Sequence, residues 1–298
     1  MKKLKLHNSE ISVSQLGLGC INFGTTTSEE NAFDLIETYL LNGGNYLDTA
    51  NNYAFWNGDY NRPSERTIGK WIKNNPSVRS KFYLGTKLGA LPNNIDAGFS
   101  DMQGTSAEVV YSEVQKSLET LKTDYIDILF LHIDDRKTPV EETMSALQNV
   151  MNKGYVKAIG CSNFQTWRIQ EYRNVCEKNG FPFFSAVQQR NSYFKPVSDA
   201  DFGVQISADS SLFDYLNYHK DLTLFSHTSL LYGAYLKETI DDLNYDTKQN
   251  NEKLEKLKLI ENRIPYVLKE ISNDAGGNIV LSTTSNTKHL LENIKIFA

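Results

Sequence analysis

The chain has 298 residues, a net charge of −5 and 22% charged residues, which excludes the basic footprint of a nucleic-acid-binding protein. Its three cysteines, Cys20, Cys161 and Cys176, form no Cys-x-x-Cys pair, so we expect reduced thiols and no disulfide framework. No apolar segment follows the first lysines, and no apolar run approaches the ~18 residues of a membrane span. We therefore expect a cytoplasmic protein without nucleic-acid or membrane partners.

Short apolar runs alternate with amphipathic stretches along the chain. Residues 16–20 are predicted as a strand, and Ser28 is predicted to cap a helix that ends at the glycines 43–44. The further predicted strands are 45–48, 81–87, 125–132, 155–161, 183–188, 222–227 and 278–282. The predicted helices after them are 64–74, 106–121, 139–153, 165–178, 209–219, two within 249–274, and 286–295.

Eight strands that alternate with helices predict an α/β fold, a closed (β/α)8 TIM barrel with a parallel eight-stranded barrel, over a single domain 1–298. A doubly wound sheet is the rival, but no Gly-x-Gly-x-x-Gly opens the first helix. The segments 90–105 and 191–208 are predicted as long loops. In a barrel they would lie on the C-terminal face, where active sites are found.

Titratable residues end three successive predicted strands. Asp48 ends the second strand, Lys87 the third and His132 the fourth, and Tyr53 follows Asp48 in the next loop. Each residue alone has a structural explanation, as a turn residue, a surface lysine, a half-buried histidine or a loop tyrosine. Their occurrence at three neighbouring strand ends favours a functional site, because charges there are close to buried.

Such a group suits the reduction of a carbonyl, which needs a hydride on carbon and a proton on oxygen. Tyr53 would be the proton donor, and a neighbouring ammonium on Lys87 is expected to lower its pKa from the usual ~10 toward working pH. Asp48 would hold Lys87 charged and oriented. His132 would hydrogen-bond the carbonyl oxygen of the substrate and align it.

Several ordered motifs extend this pattern over nearly the whole chain. They are DTANNY with SERTIG, GTKLG, LFLHIDD, KGYVKAIGCSNF, VQQRNSYF and SNTKHLLENI. In this order they resemble the aldo-keto reductase family. The resemblance implies a TIM-barrel oxidoreductase in which Tyr53 is the acid/base and Asp48, Lys87 and His132 support it.

The resemblance also implies a nicotinamide cofactor bound in an extended form, with NADP(H) as the family default. Ser162, Asn163 and Gln188 would hold the nicotinamide carboxamide, although Ser162 and Asn163 could equally cap the following helix. The remaining positions implied at the cofactor are His227, Thr228, Leu230 and Gly233 in the loop after the seventh strand, and Thr283, Ser285, His289, Glu292 and Asn293 at the adenine end.

Two departures from the family pattern concern the cofactor. His227 stands where relatives have the aromatic residue that stacks on nicotinamide, and Thr228-Ser229 replaces Ser-Pro. No arginine occurs at 285 to meet the 2′-phosphate of NADP, although Lys288 lies nearby and a helix start can bind phosphate. NAD(H) is therefore an open alternative to NADP(H).

The expected partner is a small carbonyl substrate, an aldehyde or ketone with an apolar or sugar-like face. Phe55, Trp56 and Tyr60 are predicted to line one side of its pocket. A nicotinamide-binding redox sensor of the same fold, and a barrel enzyme with Lys87 as Schiff-base nucleophile, are the alternatives. No metal site is expected, because the five histidines are dispersed.

Overall fold

The structure, a computed structural model, describes residues 1–297, apart from the side chain of residue 95. Eight parallel strands close into a barrel, because the last strand pairs with both the first barrel strand and the seventh. The barrel strands are β3 (Leu16–Gly19), β4 (Tyr46–Asp48), β5 (Tyr83–Leu88), β6 (Ile126–Leu131), β7 (Val156–Ser162), β8 (Ala186–Arg190), β9 (Thr223–His227) and β10 (Ile279–Ser282). The predicted (β/α)8 TIM barrel is confirmed.

Helices surround the barrel and return the chain to the start of each strand. They are α1 (Glu29–Leu41), α2 (Pro63–Asn74), α3 (Ala107–Leu121), α4 (Val140–Asn152), α5 (Thr166–Asn179), α6 (Ser210–His219), α7 (Lys248–Lys258), α8 (Arg263–Ile271) and α9 (Thr287–Lys295). The first helix begins as expected, since the Ser28 hydroxyl accepts a hydrogen bond from the backbone N–H of Asn31. No helix in the part of the chain that the structure describes is long and apolar enough to cross a membrane.

The start of β8 differs from the prediction. The strand begins at Ala186 rather than at residue 183. The apolar residues before it, Phe183 and Phe184, resemble a continuation of the strand in sequence. In the structure, Phe184 packs against Tyr172 of α5 and does not take part in the strand pairing. The correction matters for the site, since it places Gln188 in the middle of the strand.

A two-stranded antiparallel hairpin that the sequence analysis missed precedes the barrel. It consists of β1 (Lys3–Lys5) and β2 (Ser12–Ser14) and leads directly into β3. Leu6, Ile11 and Val13 are buried and join the apolar cluster that fills the barrel interior. The hairpin therefore closes the N-terminal end of the barrel and leaves the C-terminal end for a site.

The loops at the C-terminal end are long, as predicted. Residues 191–208 contain no helix or paired strand apart from one isolated bridge, and residues 90–105 contain a short 3-10 helix, Ile95–Ser100, and one isolated bridge between Pro92 and Met102. Further 3-10 helices lie at Phe55–Asn57, Pro76–Lys81, Leu231–Leu236 and Asp274–Gly276. The loops 90–105 and 191–208 follow β5 and β8, so they border the opening of the barrel.

Candidate active site

The structure brings Asp48, Lys87 and Tyr53 together at the C-terminal end of the barrel. Nζ of Lys87 lies 2.6 Å from Oδ2 of Asp48 and 2.8 Å from the Tyr53 hydroxyl, and it also donates to the Thr49 carbonyl at 2.8 Å. The Tyr53 hydroxyl in turn lies 3.1 Å from the same Asp48 oxygen. The three side chains therefore form one hydrogen-bonded group on β4, β5 and the loop between them.

Lys87 is fully buried, and its ammonium uses all three of its protons in these hydrogen bonds. Burial lowers the pKa of Lys87, and the Asp48 carboxylate opposes that change. A Schiff-base nucleophile needs a free amine that reaches the substrate. The position of Lys87 beneath Tyr53 therefore argues against the Schiff-base alternative.

The loop that carries Tyr53 is fixed by a buried ion-pair network. Arg62 pairs with Glu65 of α2 at 2.7 Å and also with Glu113 of α3. Asn51 donates to the same Glu113 carboxylate at 2.7 Å, two residues before Tyr53. Because these side chains are buried and joined to one another by hydrogen bonds, the loop has a defined path over the barrel end.

The pKa of Tyr53 is raised well above its ordinary value, which corrects the expectation of a lowered value. Burial of the phenol is the largest cause, and the Asp48 carboxylate adds to it. The ammonium charge of Lys87 would lower the pKa of Tyr53, but the Asp48 carboxylate, 2.6 Å from Nζ, neutralises that charge. At neutral pH the phenol is therefore protonated and able to donate.

Two imidazoles face the same space. His132, one residue past β6, lies edge-on to the Tyr53 ring with centroids 5.8 Å apart. Burial lowers its pKa well below the usual value, with Lys87 contributing, and burial lowers the pKa of His227 to about 3, with Arg190 contributing. Both rings are therefore neutral, and Nδ1 of His132 and Nε2 of His227 are buried without a hydrogen-bond partner among the residues described.

These side chains border a cavity of about 550 Å³. It contains most of the positions expected from the sequence, on β4, β7, β8, β9 and the loops after them. The expected residues that line it are Asp48, Tyr53, Trp56, His132, Ser162, Asn163, Gln188, His227, Thr228, Leu230, Gly233 and Thr283. A cavity with one apolar wall and several convergent polar groups is typical of a ligand-binding site.

Ser162, Asn163 and Gln188 form one side of the cavity. Asn163 adopts a left-handed φ of 62°, and its amide donates to the His132 carbonyl at 2.9 Å and to the Ser162 hydroxyl at 3.2 Å. Nε2 of Gln188 donates to Oδ1 of Asp48 at 2.9 Å, which leaves its Oε1 for a ligand. Asn163 thus positions this side of the cavity as well as lining it.

The loop after β9, the strand that pairs with β8, also lines the cavity and has strained backbone. Thr228, Leu231, Tyr232 and Gly233 have φ values of 57°, 44°, 52° and 83°. The Thr228 hydroxyl lies 2.9 Å from Nδ1 of His227 and orients that ring. Left-handed conformations of residues other than glycine cost free energy and cluster at ligand-binding positions.

Of the residues expected at the adenine end, Thr283 lines the cavity and the others do not. Ser285 and His289 are exposed, and Glu292 is partly buried. Asn293 is buried and donates to the Ser282 hydroxyl at 3.2 Å. The N–H groups at the start of α9 are already bonded within the chain, because the Asn286 side chain accepts from residues 288 and 289.

Of the expected aromatic wall, only Trp56 lines the cavity, and 48% of it is exposed. Phe55 is buried beneath it and contacts Trp56, Tyr60 and Phe99 through aromatic rings. The prediction of Phe55 and Tyr60 as wall residues therefore needs correction. They support Trp56, because the short 3-10 helix Phe55–Asn57 turns adjacent side chains to different sides.

The sequence analysis missed several lining residues, including Asn22 after β3 and Gln205 in the loop 191–208. Gln205 is oriented by buried Arg190, whose guanidinium donates to its Oε1 at 2.8 Å. The rule that C-terminal strand loops build the site would have found Asn22. Gln205 is brought in by the path of a long loop, which no local pattern records.

Comparisons with known proteins identify the family of this chain. The family model described as "Aldo/keto reductase family" matches residues 15–298. The "Uncharacterized oxidoreductase YrpG" of Bacillus subtilis is 32% identical over 201 residues, which are 67% of this chain and 61% of that protein. "Norsolorinic acid reductase A" of Aspergillus parasiticus is 32% identical over 191 residues, 60% of this chain and 46% of that protein.

The matched segments thus span about half to three fifths of these curated relatives. Among solved structures, "aldo-keto reductase AKR11C1 from Bacillus halodurans (holo form)" superimposes with a TM-score of 0.74 at 23% identity. The superposition covers 99% of this chain and 90% of that one, and it shows a shared fold. With the family model matched from residue 15 to the end, the chain belongs to the aldo/keto reductase family.

Proposed function

We propose that the protein is an NAD(P)H-dependent oxidoreductase that reduces aldehydes or ketones to alcohols, with Tyr53 as proton donor. The observation that carries the proposal is the contact of the Tyr53 hydroxyl with both Lys87 and Asp48 at the edge of the cavity. When bound, the nicotinamide supplies the hydride that adds to the carbonyl carbon. The residues of this chain supply the proton and the orientation.

Tyr53 delivers its phenolic proton to the carbonyl oxygen as negative charge develops there. The raised pKa keeps that proton in place at neutral pH. The phenolate left after transfer is stabilised by the Lys87 ammonium at 2.8 Å, which is already in position. Asp48 keeps Lys87 oriented throughout, so the cation that compensates the phenolate is in place before the proton moves.

His132 orients the substrate. Its ring is neutral and lies beside Tyr53, so a ring N–H can donate to the carbonyl oxygen without competing as a stronger acid. Trp56 supplies an aromatic face on the outer side of the cavity. These features suit a carbonyl carried by a flat apolar or sugar-like group.

The residues present fit the nicotinamide end of the cofactor. Ser162, Asn163 and Gln188 offer hydroxyl and amide groups on one wall, and the orphaned Nε2 of His227 offers a further polar contact on the other. The strained loop at 228–233 suits a segment preformed for a ligand. We propose that the pyrophosphate lies along this loop.

NADP(H), the default cofactor of the family, is the proposed cofactor. NAD(H) is the alternative, and the residues at the adenine end favour it. Lys288 is the cation available at the start of α9 for a 2′-phosphate, through a charge-assisted hydrogen bond. Its backbone N–H, however, is already bonded to Asn286. A 2′-phosphate would therefore gain less here than at an uncapped helix start.

The test is turnover with a reactive aromatic aldehyde, followed by loss of reduced-nicotinamide absorbance with NADPH and with NADH. We expect saturable turnover with at least one cofactor. Lys288→Ala should weaken the binding of NADPH but not the binding of NADH. Tight cofactor binding without turnover of a broad carbonyl panel would contradict the proposal and favour the redox-sensor alternative.

A further inference from the structure

Tyr46 is a buried phenol at the centre of the barrel that the proposed reaction does not use directly. Its side chain is fully buried, and its ring meets Phe225 edge-on with centroids 5.2 Å apart. Its hydroxyl donates to Oδ1 of Asp48 at 3.1 Å. Tyr46 thus contacts the catalytic group from below, on the side away from the cavity.

The two oxygens of Asp48 have different partners. Oδ1 accepts from the Tyr46 hydroxyl and from Nε2 of Gln188, whereas Oδ2 accepts from Lys87 and from the Tyr53 hydroxyl. One oxygen is therefore held by the barrel interior and the other by the groups proposed to carry out the reaction. Rotation of the carboxylate would break both sets of hydrogen bonds.

The side chain of Tyr46 occupies space that is free because two neighbouring residues are glycines. A Cβ at Gly85 of β5 would lie 2.0 Å from the Tyr46 hydroxyl oxygen, and a Cβ at Gly17 of β3 would lie 2.9 Å from its ring. Any larger residue at Gly85 would displace the hydroxyl from Asp48. The neighbouring strands are thus compatible with this tyrosine only because both positions lack side chains.

We infer that Tyr46 is a positioning residue of the proposed reaction: its hydroxyl fixes Oδ1 of Asp48, so that Oδ2 stays on Lys87 and Tyr53. The inference rests on the proposed function. A hydrogen bond to an ionised partner is stronger than a neutral one. Its loss would leave Gln188 as the remaining donor to Oδ1, so the carboxylate would be held less firmly and its negative charge would be less compensated.

The effect on pH dependence has a definite sign. The titratable groups around Asp48 are Tyr46 on its own strand, Tyr53, Lys87 from β5 and Cys20 directly after β3, and His132 faces Lys87 across the site. Asp48 raises the pKa of Tyr53. Without the Tyr46 O–H dipole this influence strengthens, so the phenol keeps its proton to higher pH.

The experiment compares wild type with Tyr46→Phe, which removes one oxygen atom and preserves the ring packing. We expect kcat to fall about tenfold, as for loss of a hydrogen bond to a charged group, with little change in KM. We expect the alkaline limb of the reduction profile to move to higher pH, because the Asp48 carboxylate raises the pKa of Tyr53. Cofactor affinity, measured by quenching of protein fluorescence, should stay unchanged.

Tyr39→Phe is the matched control. Tyr39 is equally buried; its hydroxyl donates to the Leu16 carbonyl at 2.6 Å and accepts from the backbone N–H of Tyr46 at 3.3 Å, but it does not contact Asp48. It should lower thermal stability as much as Tyr46→Phe does but leave the pH profile in place. In an Asp48→Asn background, Tyr46→Phe should change kcat less than about twofold, because the two residues act through one contact.

Equal effects of Tyr46→Phe in the two backgrounds would overturn the inference, as would a wild-type kcat and an unmoved alkaline limb in the single variant. Either result with an active wild type leaves the proposed function standing. A wild type without carbonyl reduction would overturn the proposed function and this inference together.

Discussion

Replacing Tyr53 with phenylalanine is expected to lower kcat for carbonyl reduction by about 10²–10⁴, the usual contribution of a general acid. The ring and its edge-on contact with His132 remain, so the cavity keeps its shape. The substitution removes the Tyr53 hydroxyl and its proton, which lie between Lys87 and Asp48 at the edge of the cavity. Steady-state kinetics with an aromatic aldehyde measures the loss.

The control for Tyr53→Phe is cofactor binding, which should stay within about twofold of wild type because Tyr53 is proposed to touch the substrate and not to anchor the cofactor. Tyr172→Phe should leave kcat unchanged, because it removes a buried hydroxyl that has no hydrogen-bond partner within the described part of the chain. Retention of more than a tenth of the wild-type kcat in Tyr53→Phe would show that another group donates the proton.

Lys87→Met is expected to lower the free energy of unfolding by about 3–5 kcal/mol, because it leaves the Asp48 carboxylate buried without its cation. Both side chains of this pair are at most 2% exposed, so water does not replace the lost partner. The same change removes the charge that stabilises the Tyr53 phenolate. Denaturant unfolding of the ligand-free protein measures the loss of stability.

Lys157→Met is the matched control for Lys87→Met. Lys157 also pairs with a buried aspartate, Asp127, but it is 47% exposed, and Asp127 keeps its ion pair with Arg79 at 2.7 Å. We expect a loss below about 1 kcal/mol there. Equal losses in the two variants would contradict the view that buried Asp48 depends on Lys87 as its cation.

The barrel was predictable from the sequence because each strand forms a short apolar run and each helix an amphipathic stretch. Asp48, Lys87 and His132 were predictable for a related reason. Parallel strands end on one face, so the first polar residues after successive strands meet there. The position of Tyr53 followed from its distance of five residues from Asp48, although its link to α3 through Asn51 and Glu113 did not.

The pKa of Tyr53 was not predictable, because its sign depends on burial and on the distance from Asp48, which a sequence does not contain. The hairpin before β3 was not predicted although Leu4, Leu6, Ile11 and Val13 alternate with polar residues, because its strands have three residues each and lie outside the repeating strand–helix unit. The role of Gln205 depends on how the loop 191–208 folds back over Arg190.

The central claim is that this site transfers a hydride to a carbonyl carbon while Tyr53 protonates the oxygen. The most direct measurement is transfer of deuterium from reduced nicotinamide labelled at C4 to the alcohol product, analysed by mass spectrometry and NMR. The account predicts one deuterium on the carbinol carbon for each cofactor oxidised, from one face of the ring only. Cofactor that binds at the cavity while the alcohol carries no deuterium, or no alcohol forms, would contradict it.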